Sequence, residues 1–164
     1  MKRIIKQPEP EFFVKWKQGA SEDWLPSWKA LDGEREVKSQ LRETLLQEQG
    51  YLCCYCTMRI NEQNTHIEHF IPRSDPGKGS ELELEYANLL ASCDGAQEDP
   101  HSDKRHCNTH KGGKFIPVSP IDEDCESYFR YDIDGGILPT NEPAKKEKAE
   151  RTISTLNLDI KRLR

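Results

Sequence analysis

Two cysteine pairs flank a short histidine-containing segment, and that order constrains this chain more than any other feature. Cys53-x-x-Cys56 comes first, His66-Ile-Glu-His-Phe-Ile-Pro72 follows, and Cys93 and Cys107 come after it. Two sulfurs three residues apart on one knuckle can meet a single tetrahedral ion, and a structural zinc supplies folding energy directly. A lone C-x-x-C is equally a redox pair or chance, whereas two pairs straddling a histidine segment are far more specific. Cys93 and Cys107 are too far apart in sequence to form a second tight knuckle, so the loop between them must fold back. His101 and His106 are alternative ligands, which leaves a Cys3His set open beside Cys53, Cys56, Cys93 and Cys107. Cys54 and Cys125 read as small buried core residues.

Composition explains why a metal staple is useful. The chain has 164 residues, of which 34% are hydrophobic, and its mean hydropathy is −0.88, so the core must be modest. No apolar run approaches the ~18–20 residues that span a bilayer. The N-terminus, Met1-Lys-Arg-Ile-Ile-Lys, lacks the long apolar stretch of a signal peptide. The expectation is cytoplasmic placement with no membrane contact, where cysteines serve as metal ligands or free thiols rather than disulfides. The net charge is −5 and the sequence pI about 5.6, unlike a protein that grips nucleic acid alone. Basic residues gather at the ends: Lys2, Arg3, Lys6, Lys15 and Lys17, then Lys145, Lys146, Lys148, Arg151, Lys161, Arg162 and Arg164. Either the positive face is local, or a partner supplies part of the phosphate grip, or these are solvated helix faces.

Along the chain, residues 1–50 read as a helical, lid-like region. Trp16, Trp24 and Trp28 there would serve core packing or a docking surface. Val37, Leu41, Leu45 and Leu46 recur at helical spacing before Gly50 and predict an amphipathic helix over 34–49. Residues 51–115 carry the cysteines and histidines. They predict a knuckle running into a strand up to Ile60, a strand over Thr65–Ile71 ended by Pro72, and a loop over 73–81. A short strand over Leu82, Leu84 and Tyr86 is possible, with Asn88-Leu89-Leu90 as the other candidate for the second half of a hairpin. A short helix is expected from Cys107 towards Lys114. Residues 116–164 read as a hairpin about Asp134-Gly135-Gly136, then a helix capped by Asn141, with Pro143 in its first turn and Ile153, Leu156 and Ile160 facing inward. The whole is one domain of the α+β class. No stop signal closes the last helix, so the chain reads as trimmed from a longer protein.

The histidine segment suits phosphodiester hydrolysis. That reaction needs a water made nucleophilic and charge neutralised on the non-bridging and leaving oxygens. A hard cation such as Mg2+ or Mn2+, held by oxygen ligands, covers the second need. A neutral histidine takes the proton from water. Neighbours in a strand point to opposite faces, so Glu68 and His69 serve metal and water separately only at a bent or frayed strand end. A second oxygen ligand must come from elsewhere, and the Asn108 carboxamide qualifies. His66 is open between zinc ligand, phosphate contact and surface residue.

Glu68-His69-x-x-Pro72, then Asn88-Leu89, then Cys107-Asn108-x-x-Lys111 resembles the HNH endonuclease signature, in its variant with Asn in the third position. The flanking cysteine pairs resemble its zinc-stapled members. Gly50-Tyr-Leu-Cys-Cys-Tyr-Cys56, the helix before it and Ile153-Ser-Thr-Leu-Asn-Leu158 are similar to the PtuB-type effectors of Septu and retron-associated antiphage systems. The resemblance implies a ββα-metal (His-Me finger) core over residues 51–115. It implies His69 as general base and Glu68 and Asn108 as ligands of a catalytic divalent ion. His110 is the alternative ligand if the helix register differs. Asn88 would fix the hairpin loop and orient the histidine, and Lys111 would lie near phosphate or finish the helix. It also implies a PtuA-like ATPase partner, a DNA or RNA substrate and a role in antiviral defence, with a homodimer possible inside a larger complex. Glu in place of the commoner Asp, and the long Cys93–Cys107 insertion, depart from the pattern. The competing readings are a non-catalytic zinc module that binds nucleic acid or protein, and a zinc-stapled scaffold subunit with a degenerate site.

Overall fold

A computed structural model describes residues 1–21, 24–99 and 101–163, apart from the side chains of Ser102 and Arg162. Arg164 and the Arg162 side chain, both counted in the C-terminal basic group, lie outside the described residues.

The N-terminal region forms two short helices, α1 (Glu11–Gln18) and α2 (Trp28–Gly33), the second capped by the Ser27 hydroxyl, which accepts from Ala30 N. Trp28 is buried, Trp16 packs against the core, and Trp24 meets Trp16 edge-on, so the aromatics here serve packing. The apolar spacing over 34–49 does form a helix, α3 (Arg35–Glu48), which buries Leu41, Leu45 and Leu46. Gly50 (φ 61) and Tyr51 (φ 59) then reverse the chain in the left-handed region. Gln49 at the helix end is buried and acts as a strand partner. Its amide nitrogen donates to Leu52 O and Ala91 O, and its amide oxygen accepts from Ala91 N.

The knuckle after α3 closes on itself, with Cys53 N donating to Met58 O (2.9 Å) and Thr57 N to Cys53 O (3.1 Å). The strand expected up to Ile60 is reduced to one bridge, Leu52 with Arg59. The knuckle consumes the backbone groups a ladder would need. β1 (Thr65–His69) and β2 (Leu89–Cys93) pair antiparallel, with Glu68 opposite Leu90 and His69 opposite Leu89. β1 stops short of Ile71 because both Ile71 backbone groups are taken by the Asn88 side chain. Residues 82–88 are turns, not a strand, and end in a 3-10 turn over Tyr86–Asn88. α4 (Cys107–Lys111) follows and packs on β2, ending at Gly112, where φ is 54.

β3 (Phe129–Tyr131) and β4 (Ile137–Pro139) make the expected hairpin, its turn tied by Asp132 Oδ1, which accepts from Asp134 N and Gly136 N. In α5 (Pro143–Leu156) the N-cap is Glu142 rather than Asn141. Pro143 fixes the first helical position, so the residue before it takes the cap place. α5 also has a stop the sequence reading lacks. Asn157 adopts φ 50, and Leu158 N donates to Ile153 O, a Schellman-type end that leaves Ile160 beyond the helix. Among the described residues no helix is long and apolar enough to cross a membrane. The protein is thus a small α+β assembly in which β1, β2 and α4 follow one another around the cysteine cluster.

Candidate metal centre and histidine site

Three separate elements bring the four sulfurs together. The knuckle contributes Cys53 and Cys56, the end of β2 Cys93, and the first residue of α4 Cys107. Their ligand atoms lie within 4.8 Å of one another, with Cys53–Cys107 at 3.8 Å and Cys56–Cys93 at 3.9 Å. A tetrahedral zinc with Zn–S bonds of about 2.3 Å places sulfurs about 3.8 Å apart, whereas a disulfide needs about 2.05 Å. The spacing therefore fits a metal, and the four thiols could hold a structural ion such as zinc. Burial alone would keep Cys53 protonated. The sulfur donors around it, Cys107 first, hold its thiol well below the usual range. Cys54, one residue on but outside the cluster, is pushed well up by burial, as suits a core thiol.

The loop between Cys93 and Cys107 does fold back. His106 N donates to Gly95 O (3.0 Å) and Thr109 Oγ1 to Asp94 O (2.8 Å). Gly95 has φ +59, and any Cβ there would strike His106 O. From outside, Asn157 Nδ2 donates to Asp103 O (2.9 Å) and Arg105 O (2.8 Å). His106 is buried beside the cluster. Burial works against charging it, yet its hydrogen bond with Cys93 raises its pKa. His101 and His66 are exposed and stand apart from the cluster. Among the described residues, the metal-competent group is the four cysteines.

Glu68 and His69, the last two residues of β1, are both buried but meet different neighbours. Glu68 Oε1 accepts from Tyr55 Oη (2.9 Å) and from Lys111 Nζ (2.6 Å). Burial raises the Glu68 pKa, and the Lys111 charge pulls it back. His69 Nε2 lies 3.0 Å from the carbonyl oxygen of Glu83, and its ring meets the Trp28 ring edge-on at 4.3 Å. A carbonyl only accepts, so Nε2 carries the proton and the lone pair sits on Nδ1. Burial lowers the His69 pKa from 6.5 to about 4, with the Arg73 and Lys111 charges adding to it, so the ring is neutral at neutral pH. Glu83 binds twice, because its carboxylate also accepts from Trp28 N (3.0 Å). The lid helix α2 and the histidine are thereby held by one residue.

Asn88 is buried in the turn before β2. Its Oδ1 accepts from Ile71 N (2.7 Å), and its Nδ2 donates to Ile71 O and Leu82 O, both 3.1 Å. These bonds tie the segment after His69 to the segment carrying Glu83. Asn108 sits half-buried on α4, its Oδ1 accepting from Thr109 Oγ1 (3.3 Å). The His110 ring nitrogen Nδ1 lies 3.0 Å from Thr155 O of α5, so that ring is turned towards the C-terminal helix. Lys111 does not face solvent. It is 1% exposed and also donates to His69 O (2.9 Å), a bridge from α4 to the end of β1. Trp28, Tyr55, Glu83 and the Lys111 pairing escape sequence reasoning, because each acts through a contact distant in the chain. Only the fixed Cys107-Asn108-x-x-Lys111 spacing offered a signal, for Lys111.

A small α+β frame thus carries a four-thiol cluster that could hold a metal, together with a buried Glu-His step whose imidazole is neutral at neutral pH. No family model matches the chain. It is similar to two curated proteins. One is named "Retron Vc95 putative HNH endonuclease", from Vibrio cholerae serotype O1 biovar El Tor, 31% identical over 125 residues covering 75% of this chain and 59% of that protein. The other is named "Retron Ec83 putative HNH endonuclease", from Escherichia coli, 26% identical over 200 residues covering 99% of this chain and 76% of that protein. The chain thus spans less than two thirds of the length of the first.

Proposed function

We propose that this protein is an HNH endonuclease, a hydrolase of nucleic-acid phosphodiester bonds acting as the effector of a retron-type antiphage system. β1, β2 and α4 would form its ββα-metal core. The observation that carries this reading is the fixed tautomer of His69. Its Nε2–H is committed to the Glu83 carbonyl, and its ring is neutral at neutral pH. Nδ1 is therefore free to take a proton from water. The likeness to two proteins named for this activity supports it.

In this reading His69 is the general base. Asn88 holds the turn that carries the Glu83 carbonyl, and so orients the ring. Glu68 and Asn108 supply hard oxygen donors of the kind that hold Mg2+ or Mn2+, with His110 the less favoured alternative because it is engaged with α5. When bound, such an ion would neutralise charge on the non-bridging and leaving oxygens. Lys111 works against the burial that raises the Glu68 pKa, and so favours its ionised form. The four cysteines hold a structural zinc and touch no substrate. The sequence likeness to PtuB and the acidic balance of the chain support a PtuA-like ATPase partner that licenses cutting. Cytoplasmic action on phage or host nucleic acid follows from the same reading.

The test is cleavage of plasmid DNA and of total RNA in Mg2+ or Mn2+, with and without a copurifying ATPase. His69→Ala is expected to abolish cutting and toxicity while zinc content and a cooperative melting transition are kept, the transition falling somewhat because a buried ring is removed. Undiminished cutting by that variant would sink the mechanism. One observation favours a second reading, a non-catalytic zinc module: Glu68 Oε1 is already taken by Tyr55 and Lys111. Under that reading nucleic-acid or partner binding would survive loss of Glu68 and His69 and fail on loss of any of the four cysteines.

A further inference from the structure

Phosphate must reach His69 on a chain of net charge −5, so the cations around that ring decide how a backbone docks. Two of them act electrostatically on His69, Arg73 and Lys111. Lys111 is buried and paired with Glu68. Lys38, which also lies over Trp28, is paired with Asp32. Arg73 differs from both. It is exposed, and among the described residues no carboxylate pairs with it. Its guanidinium lies over the Trp28 ring, 5.4 Å from the centroid, and that same ring meets His69 edge-on at 4.3 Å.

The backbone beneath Arg73 is fixed. Asp75 N donates to Pro72 O (2.9 Å) and Gly79 N to Asp75 O (3.0 Å), while Asp75 Oδ1 accepts from Gly77 N and Lys78 N. The loop closes so tightly that a Cβ on Gly79 would strike Arg73 O. Ser74 leaves no room for a Cβ on Gly113, just past α4. The loop is thus seated between the end of β1 and the end of α4, and the arginine stands on an aromatic platform shared with the histidine.

We infer that Arg73 is the phosphate-binding cation of this site, gripping a nucleic-acid backbone phosphate next to the bond that His69 addresses. A guanidinium suits the task because it is always charged and presents paired donors to phosphate oxygens. Stacking on Trp28 orients it before the substrate arrives. The inference rests on the endonuclease reading, and its test separates the two.

Binding is measured on the His69→Ala protein, with Arg73 intact or changed, against duplex DNA, single-stranded DNA and single-stranded RNA of one sequence. Salt is varied over about 50–200 mM. Arg73→Gln is expected to weaken binding several-fold and to flatten the dependence of log affinity on log salt. The flattening should be about 0.9 for duplex or about 0.7 for a single strand, the signature of one lost phosphate contact. Arg73→Lys keeps the charge and should keep the slope. Because the side chain is exposed, zinc content and melting temperature should not move. The substrate is the nucleic acid on which the change reaches the full value for its own form, about 0.9 for duplex or about 0.7 for a single strand. An unchanged slope on all three, or no binding by the parent, overturns the assignment. Wild-type cleavage that His69→Ala abolishes, together with an unchanged slope, overturns Arg73 alone. Flattening in a protein that never cuts supports the contact and overturns the endonuclease reading.

Discussion

At the scale of single residues, burial sets the chemistry of His69. The ring is 8% exposed, and desolvation lowers its pKa to about 4 against a Glu83 hydrogen bond that works the other way. Between pH 6.5 and about 4 the unfolded chain binds a proton that the folded chain refuses. The contribution of this site to stability is therefore fully present above about pH 6.5 and is lost as pH falls towards 4. The imidazole nitrogen shifts of His69 should stay those of a neutral ring from pH 8 down to about 5.5, with the proton on Nε2. A midpoint near 6.5, as for an exposed histidine, would show that the ring is not enclosed as described.

At the scale of elements, the join between β1 and α4 depends on one side chain. Lys111 reaches from α4 to Glu68 Oε1 and to the backbone carbonyl of His69, and Tyr55 from the knuckle completes the triad. Removing one partner of a buried ion pair typically costs about 3–5 kcal/mol, because the other charge is left uncompensated. Lys111→Met should lose about that much in urea unfolding of the zinc-loaded protein. Adding Glu68→Gln should recover most of it, since an amide can still accept from Tyr55. A loss below about 1 kcal/mol in the single variant would show that the pair is not holding the two elements together. The end of β1, unlike the exposed His66 before it, is covered on both sides. α4 and the knuckle close the Glu68 side, while α2 and the turn before β2 close the His69 side.

At the scale of the whole molecule, the cysteine cluster ties together three elements inside the one apolar core that they share, where Cys53, Cys93 and Cys107 are buried. Its four thiols come from the knuckle after α3, the end of β2 and the start of α4. The N-terminal arm adds a polar clasp: Lys6 pairs with Glu48 (2.7 Å), donates to Leu89 O (3.0 Å) and lies over the Tyr86 ring. Structural zinc binds zinc-finger peptides with about 10–16 kcal/mol, comparable with the about 5–15 kcal/mol net stability of a whole domain. The protein should carry one zinc per chain by elemental analysis. Stripping it with a chelator, or Cys93→Ser, should abolish the cooperative melting transition of residues 51–115. A sharp, unshifted transition in a chain proven free of zinc would remove the structural role from the cluster.

Local order set much of this picture. The i, i+4 leucines of α3, the C-x-x-C knuckle, the Asp-Gly-Gly turn and the Pro143 helix start depend on neighbours a few residues away, so they are legible in the chain. The pairing of Glu68 with Lys111, the seat of His69 between Trp28 and Glu83, and the choice of four cysteines over His101 or His106 are long-range contacts. So are the turns at 82–88, where alternating apolar residues suggested a strand but Asn88 used its side chain to bind the backbone first. By itself the sequence determined which residue types are at hand for chemistry and in what order they come. Only the tertiary structure decided which of them meet and which are desolvated, because burial and charge pairing depend on distance in space rather than along the chain.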